Sequence, residues 1–458
     1  MTADLPATAA LSAAGFPAEP VRARARLGAA AAFPPAEEYG SALFGAGSTA
    51  AAAAQTAPAT AGRPDALDAV RLVPPVFMPQ RLEKLIELGR EPLYQDVELQ
   101  TAIGRFRSPL PLFVSALGST RVASVGVGAA ISRQAGRLGI PMVIGENIVP
   151  SQGYGRIADA EDDAGSGSLL QRIQAYADRL PDGFGGVVVQ QSTEDADAEV
   201  WNLVYSDPGA LALLESGRLA FELKVGQGAK PGLGGMTVLD AEAARRMADR
   251  FAVDPLFGGE AGLPGGGTAL RCASPGTFTA EILKQQIRLM RNNFPRAGVW
   301  VKLHPGRDIR EAAEAAWAAG ADAVTVDGAE GGTGWAPTAF LDHVGLPLGE
   351  CLRRIGRRGH CLLATGRMWD GARAVKTLAL GARAVGLGRA AVLAADEDAE
   401  HGLLRLAECL ATEIRMLISA LGKYDPAALG AEDLWPAPPH DEDAEPLRER
   451  LYAQPQPA

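Results

Sequence analysis

The chain has 458 residues, 47% hydrophobic and 21% charged, with a formal net charge of −10. That composition suits a soluble globular protein of one large domain with accessory segments. The acidic balance, with no Lys/Arg block, argues against a nucleic-acid binder. Four widely spaced cysteines, Cys272, Cys351, Cys361 and Cys409, include no C-x-x-C pair, so neither a zinc site nor a disulfide framework is expected. No apolar run is long enough to span a membrane, no signal-peptide pattern opens the chain, and a cytoplasmic location is expected.

Residues 1–66 are Ala-rich with scattered Pro, Thr, Ser and Gly, and read as a low-complexity, disordered or loosely helical leader. Residues 67–108 mix aromatics, prolines and short amphipathic pieces, a lead-in that packs on the domain following it. From Leu110 a unit repeats: an apolar strand, a polar or glycine-rich strand end, then a helix. The strands are LPLFVSA (110–116), PMVIGEN (141–147), GGVVVQQ (185–191), LAFELKVGQ (219–227), VWVKLH (299–304), AVTVDG (323–328), CLLATG (361–366) and AVGLGR (384–389). Helical segments are expected at Val122–Leu138, Ala241–Phe251, Ala280–Asn293, Asp308–Ala319, Ala372–Leu380 and His401–Leu421. Eight strands alternating with helices predict an α/β fold, a (β/α)8 TIM barrel over 109–425 with an irregular Ala-rich N-terminal extension and a tail at 426–458. A doubly wound open sheet is the competitor, but no G-x-G-x-x-G opens a first helix.

In such barrels the site lies at the carboxyl ends of the strands. Those ends carry Ser115, Glu146 and Asn147, Gln190 and Gln191, Gln227, Lys302 and His304, then Asp327. Three loops follow on neighbouring strands: Gly331-Gly332-Thr333-Gly334, Gly366-Arg367, and Gly386 to Arg389 with Gly388 between. Glycines there let main-chain N–H groups approach an oxyanion, and the last two strand ends are a recurrent phosphate site of this fold. Lys302, ending an apolar strand, offers an ammonium to developing negative charge or a substrate carboxylate; a barrel-interior ion pair with Asp327 or Glu146 is the other reading. Gln227 and Lys230 sit on a stiff Gly-Ala-Lys-Pro turn suited to a dicarboxylate.

VGQGAKPGLGG, VDGAEGGTGWAP, FLDHVGLPL and the ATGR…ALGARAVGLGRA run resemble the FMN-binding synthase domain of glutamate synthases, with the likeness closest to stand-alone FMN-binding glutamate synthase-like proteins. It covers roughly residues 75–425. The resemblance implies a TIM barrel with FMN across its mouth and the FMN phosphate at Gly331, Gly332, Gly366, Gly386 and Gly388, with Asp327, Thr333, Gly334, Arg367 and Arg389 in the same loops. It puts Ser115, Ala116 and Gly118 in a flavin-contact segment. Glu146, Gln227 and Lys230 fall near flavin or a 2-oxo acid, and Lys302 matches a lysine beside the flavin. Departures accompany it. The family's three-cysteine cluster motif after the last strand is replaced by Cys409 alone, so no iron–sulfur cluster is expected. No N-terminal nucleophilic cysteine marks a fused glutaminase domain.

The expected activity is an FMN-dependent oxidoreductase reducing an imine of a 2-oxo acid and ammonia or an amine. Lys302, Glu146, Lys230 and Gln227 form the catalytic set, with Glu146 as proton donor. The alternatives are a flavin oxidase or dehydrogenase acting on an amine or hydroxy acid, and a non-catalytic flavin-binding subunit. Expected partners are the small-molecule substrate, an electron-donor reductase or glutaminase-like subunit, and further copies of the chain.

Overall fold

The computed structural model describes residues 16–33, 66–117, 126–146, 148–149, 153–155, 168–192, 199–226, 228, 237–239, 252–254, 269–272, 279–332, 338–356 and 359–435. Eight parallel strands close a barrel: β1 Leu112–Leu117, β2 Met142–Ile144, β3 Val187–Ser192, β4 Leu219–Lys224, β5 Gly298–Leu303, β6 Ala323–Asp327, β7 Leu362–Thr365 and β8 Ala384–Leu387. β8 pairs with β1 through Gly386↔Phe113, which completes the ring. This is the (β/α)8 fold expected, with each strand close to its predicted place.

The helices follow the same rhythm: α1 Ala18–Leu27, α2 Val127–Leu138, α3 Leu169–Ala177, α4 Val200–Ser206, α5 Ala280–Asn293, α6 Ile309–Ala318, α7 Leu348–Ile355, α8 Gly371–Ala379, α9 Arg389–Glu397 and α10 Gly402–Ala420. Local chemistry sets their ends. Thr279 Oγ1 accepts from the Ile282 N–H at 3.2 Å and starts α5, whose buried Leu283, Ile287 and Met290 form one stripe. Asp370 does the same for α8 through the Arg373 N–H at 2.7 Å. The helix expected over Ala241–Phe251 lies outside the described residues.

Strand alternation divides the side chains into two cores. Outward residues such as Val114, Val189, Phe221, Val301 and Val326 join the helices in the larger one. Inward residues Phe113, Val143, Val188, Ala220, Trp300, Ala323, Leu363 and Ala384 fill the barrel floor. A hairpin, Thr101–Ile103 paired with Phe106–Ser108, closes that floor with Ile103 and Phe106. Its turn residue Gly104 has φ 59°, and a Cβ there would come within 2.7 Å of Trp300 Nε1, so only glycine brings the plug this close.

The N-terminal expectation needs correction. Within the stretch read as a leader, α1 is ordered and buries Val21, Arg22 and Ala25. Its stability comes from the barrel helices. Arg22 pairs with Asp396 at 2.8 Å and Glu397 at 2.9 Å, and Arg24 pairs with Glu413 at 2.8 Å. Two small apolar residues in an Ala-rich background make no visible period, and the ionic partners lie at the far end of the chain. Part of the expected tail is also built in: Leu434–Trp435 pairs antiparallel with Arg71–Leu72, and buried Asp433 binds Lys423 at 2.6 Å.

Candidate active site at the barrel mouth

Above the apolar floor the inward positions become polar. Gln190, Glu222, Thr325 and Thr365 are buried there, as are Lys302, Lys224, Glu146 and Asp327. The register explains the crowding. Lys302 of β5 stands directly beside Lys224 of β4 and beside Thr325 of β6, while Asp327 stands beside Thr365 of β7. Two neighbouring ammonium groups inside a barrel need carboxylates between them. Glu146 takes Lys224, and Asp327 takes Lys302 at 3.3 Å between Nζ and Oδ2. Thr365 Oγ1 donates to Asp327 Oδ1 at 2.8 Å. Deeper down, Gln190 donates to Glu222 Oε1, and Thr325 donates to Glu222 Oε2 at 3.1 Å.

Burial alone would lower the Lys302 pKa, but Asp327, Glu222 and Glu146 outweigh it and hold the ammonium above its ordinary value. Burial would raise Glu146, yet Lys224, at contact, wins and holds this carboxyl below the usual range. Glu222 goes the other way: burial raises it, and Lys302, Gln190 and Thr325 only partly oppose that. The expectation that Glu146 serves as proton donor is therefore corrected. Its carboxyl accepts from Lys224 Nζ rather than standing as a free acid. His304, at the end of β5, is pushed down by burial and kept neutral; its Nδ1 has no hydrogen-bond partner among the described residues.

The other side of the mouth is built from glycine loops and arginines. Gly331 follows Gly328 in a tight turn, its N–H donating to Gly328 O at 2.8 Å, and a Cβ on Gly331 would collide with Asp327. Gly332 is exposed beside Arg389, whose side-chain atoms would lie 3.8 Å from a Cβ there. Gly388 faces Ser115 Oγ, 3.2 Å from where its Cβ would be. Gly386, by contrast, points into the barrel, where a Cβ would meet Thr365 at 2.5 Å and Phe113 at 2.7 Å. Its lack of a side chain makes room for packing beneath the loops. Arg367 adopts φ 54°, in the left-handed region that non-glycine residues avoid. Its Nε is buried and has no hydrogen-bond partner among the described residues. Arg389 donates to Glu330 O at 2.6 Å and has no carboxylate partner among the described residues. Burial lowers its pKa. An orphaned Arg367 donor and the Arg389 guanidinium beside glycine turns have the chemistry to meet an oxyanion.

The structure thus gathers Lys302, Glu146, Asp327 and Ser115 at the mouth, with Ala116 on β1 beside them, and puts Gly331, Gly332, Gly366, Arg367, Gly388 and Arg389 in its loops. Gly118, Gln227, Lys230, Thr333 and Gly334 lie outside the described residues, as does Asn147. Sequence reasoning missed Glu222 and Lys224. Their signal was present: two charges two residues apart inside the apolar AFELK strand must share one face. It also missed Glu330, Arg373 and Asp68, which are joined by tertiary contacts. Cys409 is buried within α10, and burial pushes its thiol up to about 12.

The closed parallel barrel carries charged side chains at its mouth and glycine loops and arginines at one corner. Residues 271–422 match the family described as the conserved region in glutamate synthase. Over 185 residues the chain is 34% identical to the archaeal glutamate synthase [NADPH] of Methanocaldococcus jannaschii, covering 38% of this chain and 34% of that protein. It is 33% identical over 192 residues to a glutamate synthase large subunit-like protein of Rhizobium meliloti, covering 40% of this chain and 41% of that one. The chain thus spans well under half the length of these relatives. Among solved structures, a flavocytochrome b2 variant with benzoylformate superposes with a TM-score of 0.52 at 16% identity, covering 86% of this chain and 83% of that one; this likeness speaks to the fold. The resemblance to glutamate synthases read from the motifs therefore holds over this region. No helix among the described residues is long and apolar enough to cross a membrane.

Proposed function

We propose that the protein is an FMN-dependent oxidoreductase that reduces an imine formed from a 2-oxo acid and ammonia or an amine. The observation that carries this reading is the pairing, at one barrel mouth, of a buried charged wall with an anion-binding corner. When bound, FMN supplies the hydride chemistry, and the protein supplies binding, orientation and electrostatics. Gly331, Gly332, Gly366, Gly388, Arg367 and Arg389 would hold its phosphate, with Ser115 and Ala116 beside them; the resemblance adds Gly118, Thr333 and Gly334 to this set. Lys302, kept charged by Asp327, offers its ammonium to negative charge on the ring edge or the substrate. The Lys224–Glu146 pair would deliver the proton to the substrate nitrogen, while Gln227 and Lys230 would bind the substrate carboxylate. Asp327 acts through Lys302. Without a cysteine cluster, electrons are proposed to come from NAD(P)H or a reductase partner, with ammonia from a glutaminase-like subunit.

A second reading, oxidation of an amine or hydroxy acid, is favoured by the lone, buried Cys409. An absorption spectrum of the purified protein, with the released cofactor identified, tests both. A flavin spectrum whose bands bleach with NAD(P)H and return with a 2-oxo acid plus ammonia supports the first. Bleaching by the amine or hydroxy acid itself supports the second. A colourless protein that takes up no FMN sinks both.

A further inference from the structure

The stretch read as a leader and the lead-in after it each reach the glycine and arginine corner at one point, Phe16 and Asp68. Asp68 Oδ2 accepts from Arg367 Nη1 at 2.5 Å, and Oδ1 accepts from Arg373 Nη1 at 2.8 Å. Arg373 also donates to Glu330 Oε1 at 3.0 Å and to Gly366 O at 3.3 Å. Glu330 returns the connection, its main-chain oxygen accepting from Arg389. The Arg389 guanidinium lies over the ring of Phe16, 4.5 Å from the centroid. Phe16 is itself buried, and α1 begins two residues later. Leu67, next to Asp68, is fully buried, and its carbonyl accepts from Lys376 of α8 at 3.2 Å.

These contacts do more than pack. The left-handed backbone of Arg367 costs energy that surrounding structure must offset, and such outliers mark places where a side chain is being aimed. A ring face restrains the plane of a guanidinium while leaving its charge uncancelled, which a carboxylate would not do. Asp68 is shared between two arginines, Arg367 and Arg373, and Arg373 also meets Glu330.

We propose that Phe16 and Asp68 are positioning residues for the cofactor phosphate: Phe16 orients Arg389, Asp68 orients Arg367, and the N-terminal segment thereby completes the phosphate corner. This rests on reading that corner as the phosphate site. The mechanism predicts discrimination between FMN and riboflavin, which differ by the phosphate alone.

The test uses the full chain stripped of flavin, in phosphate-free buffer, titrated with each flavin and followed by flavin fluorescence. The wild type is expected to prefer FMN over riboflavin. Phe16→Leu keeps apolar bulk but loses the ring face; it should weaken FMN roughly 3- to 30-fold, the span of a cation–π contact, and leave riboflavin unchanged. Asp68→Asn should cost about tenfold, again for FMN only. Phe16→Trp should restore the preference. Variants that lose both flavins in parallel would show a merely structural role and overturn the proposal, as would variants that retain the full preference. A wild type with no preference for FMN would overturn the phosphate reading itself, and the proposal with it.

Discussion

The two halves of the mouth are built by different means. The wall formed by β4, β5 and β6 carries Glu222, Lys224, Lys302 and Asp327 on the strands themselves, where alternation points them inward and register places them side by side. The corner at β7 and β8 takes its form from loops, and its arginines also reach partners far away in the chain; Arg367 and Asp68 are 299 apart. Charges in the wall are buried and paired, so disturbing them should cost stability first. Charges in the corner are partly open, so disturbing them should cost anion affinity first.

The largest effect is expected in the wall. Lys302→Met leaves Asp327 buried without its ammonium and should destabilise the fold by about 3–5 kcal/mol. Urea unfolding measures this, and a loss below 1 kcal/mol would mean that the wall is wetter than its burial indicates. Next comes the seam between the halves. Gly386→Ala forces a methyl against Thr365 and Phe113 and should cost about 1–3 kcal/mol. A thermal midpoint equal to wild type would show that Phe113 yields.

Glu222→Gln separates charge from shape, since the amide can keep both neighbours, Gln190 and Thr325. The folded-state pKa of Glu222 is raised by burial above its unfolded value. Its contribution is therefore complete below the ordinary carboxylate range and is lost as pH rises through the raised value. The variant lacks that loss. Relative to wild type it should gain stability as pH rises above the ordinary carboxylate range, measured by denaturant midpoints across pH. A pH-independent difference would place the Glu222 proton elsewhere. The smallest effect belongs to the half-exposed Arg26, which pairs with Glu397 at 2.8 Å. Arg26→Ala should change stability by under about 0.5 kcal/mol, and a larger loss would reveal a role in seating α1.

The sequence by itself determined the barrel. Apolar strands of period two, capped helices and polar strand ends each follow from local chemistry, and β1 to β8 fall where that chemistry puts them. It also determined that Lys302 would face the mouth and that glycine loops would end β6, β7 and β8. That Glu222 and Lys224 share the inward face was legible too, from two charges two residues apart in an apolar strand, although the sequence reading missed it. Only the tertiary structure decided that Lys224 meets Glu146 and holds its carboxyl below the usual range. It alone decided that Phe16 and Asp68 reach Arg389 and Arg367. The physical reason is common to both: a charge takes its protonation state and its aim from whatever surrounds it in space, and no local period records partners that the chain closure brings from its distant parts.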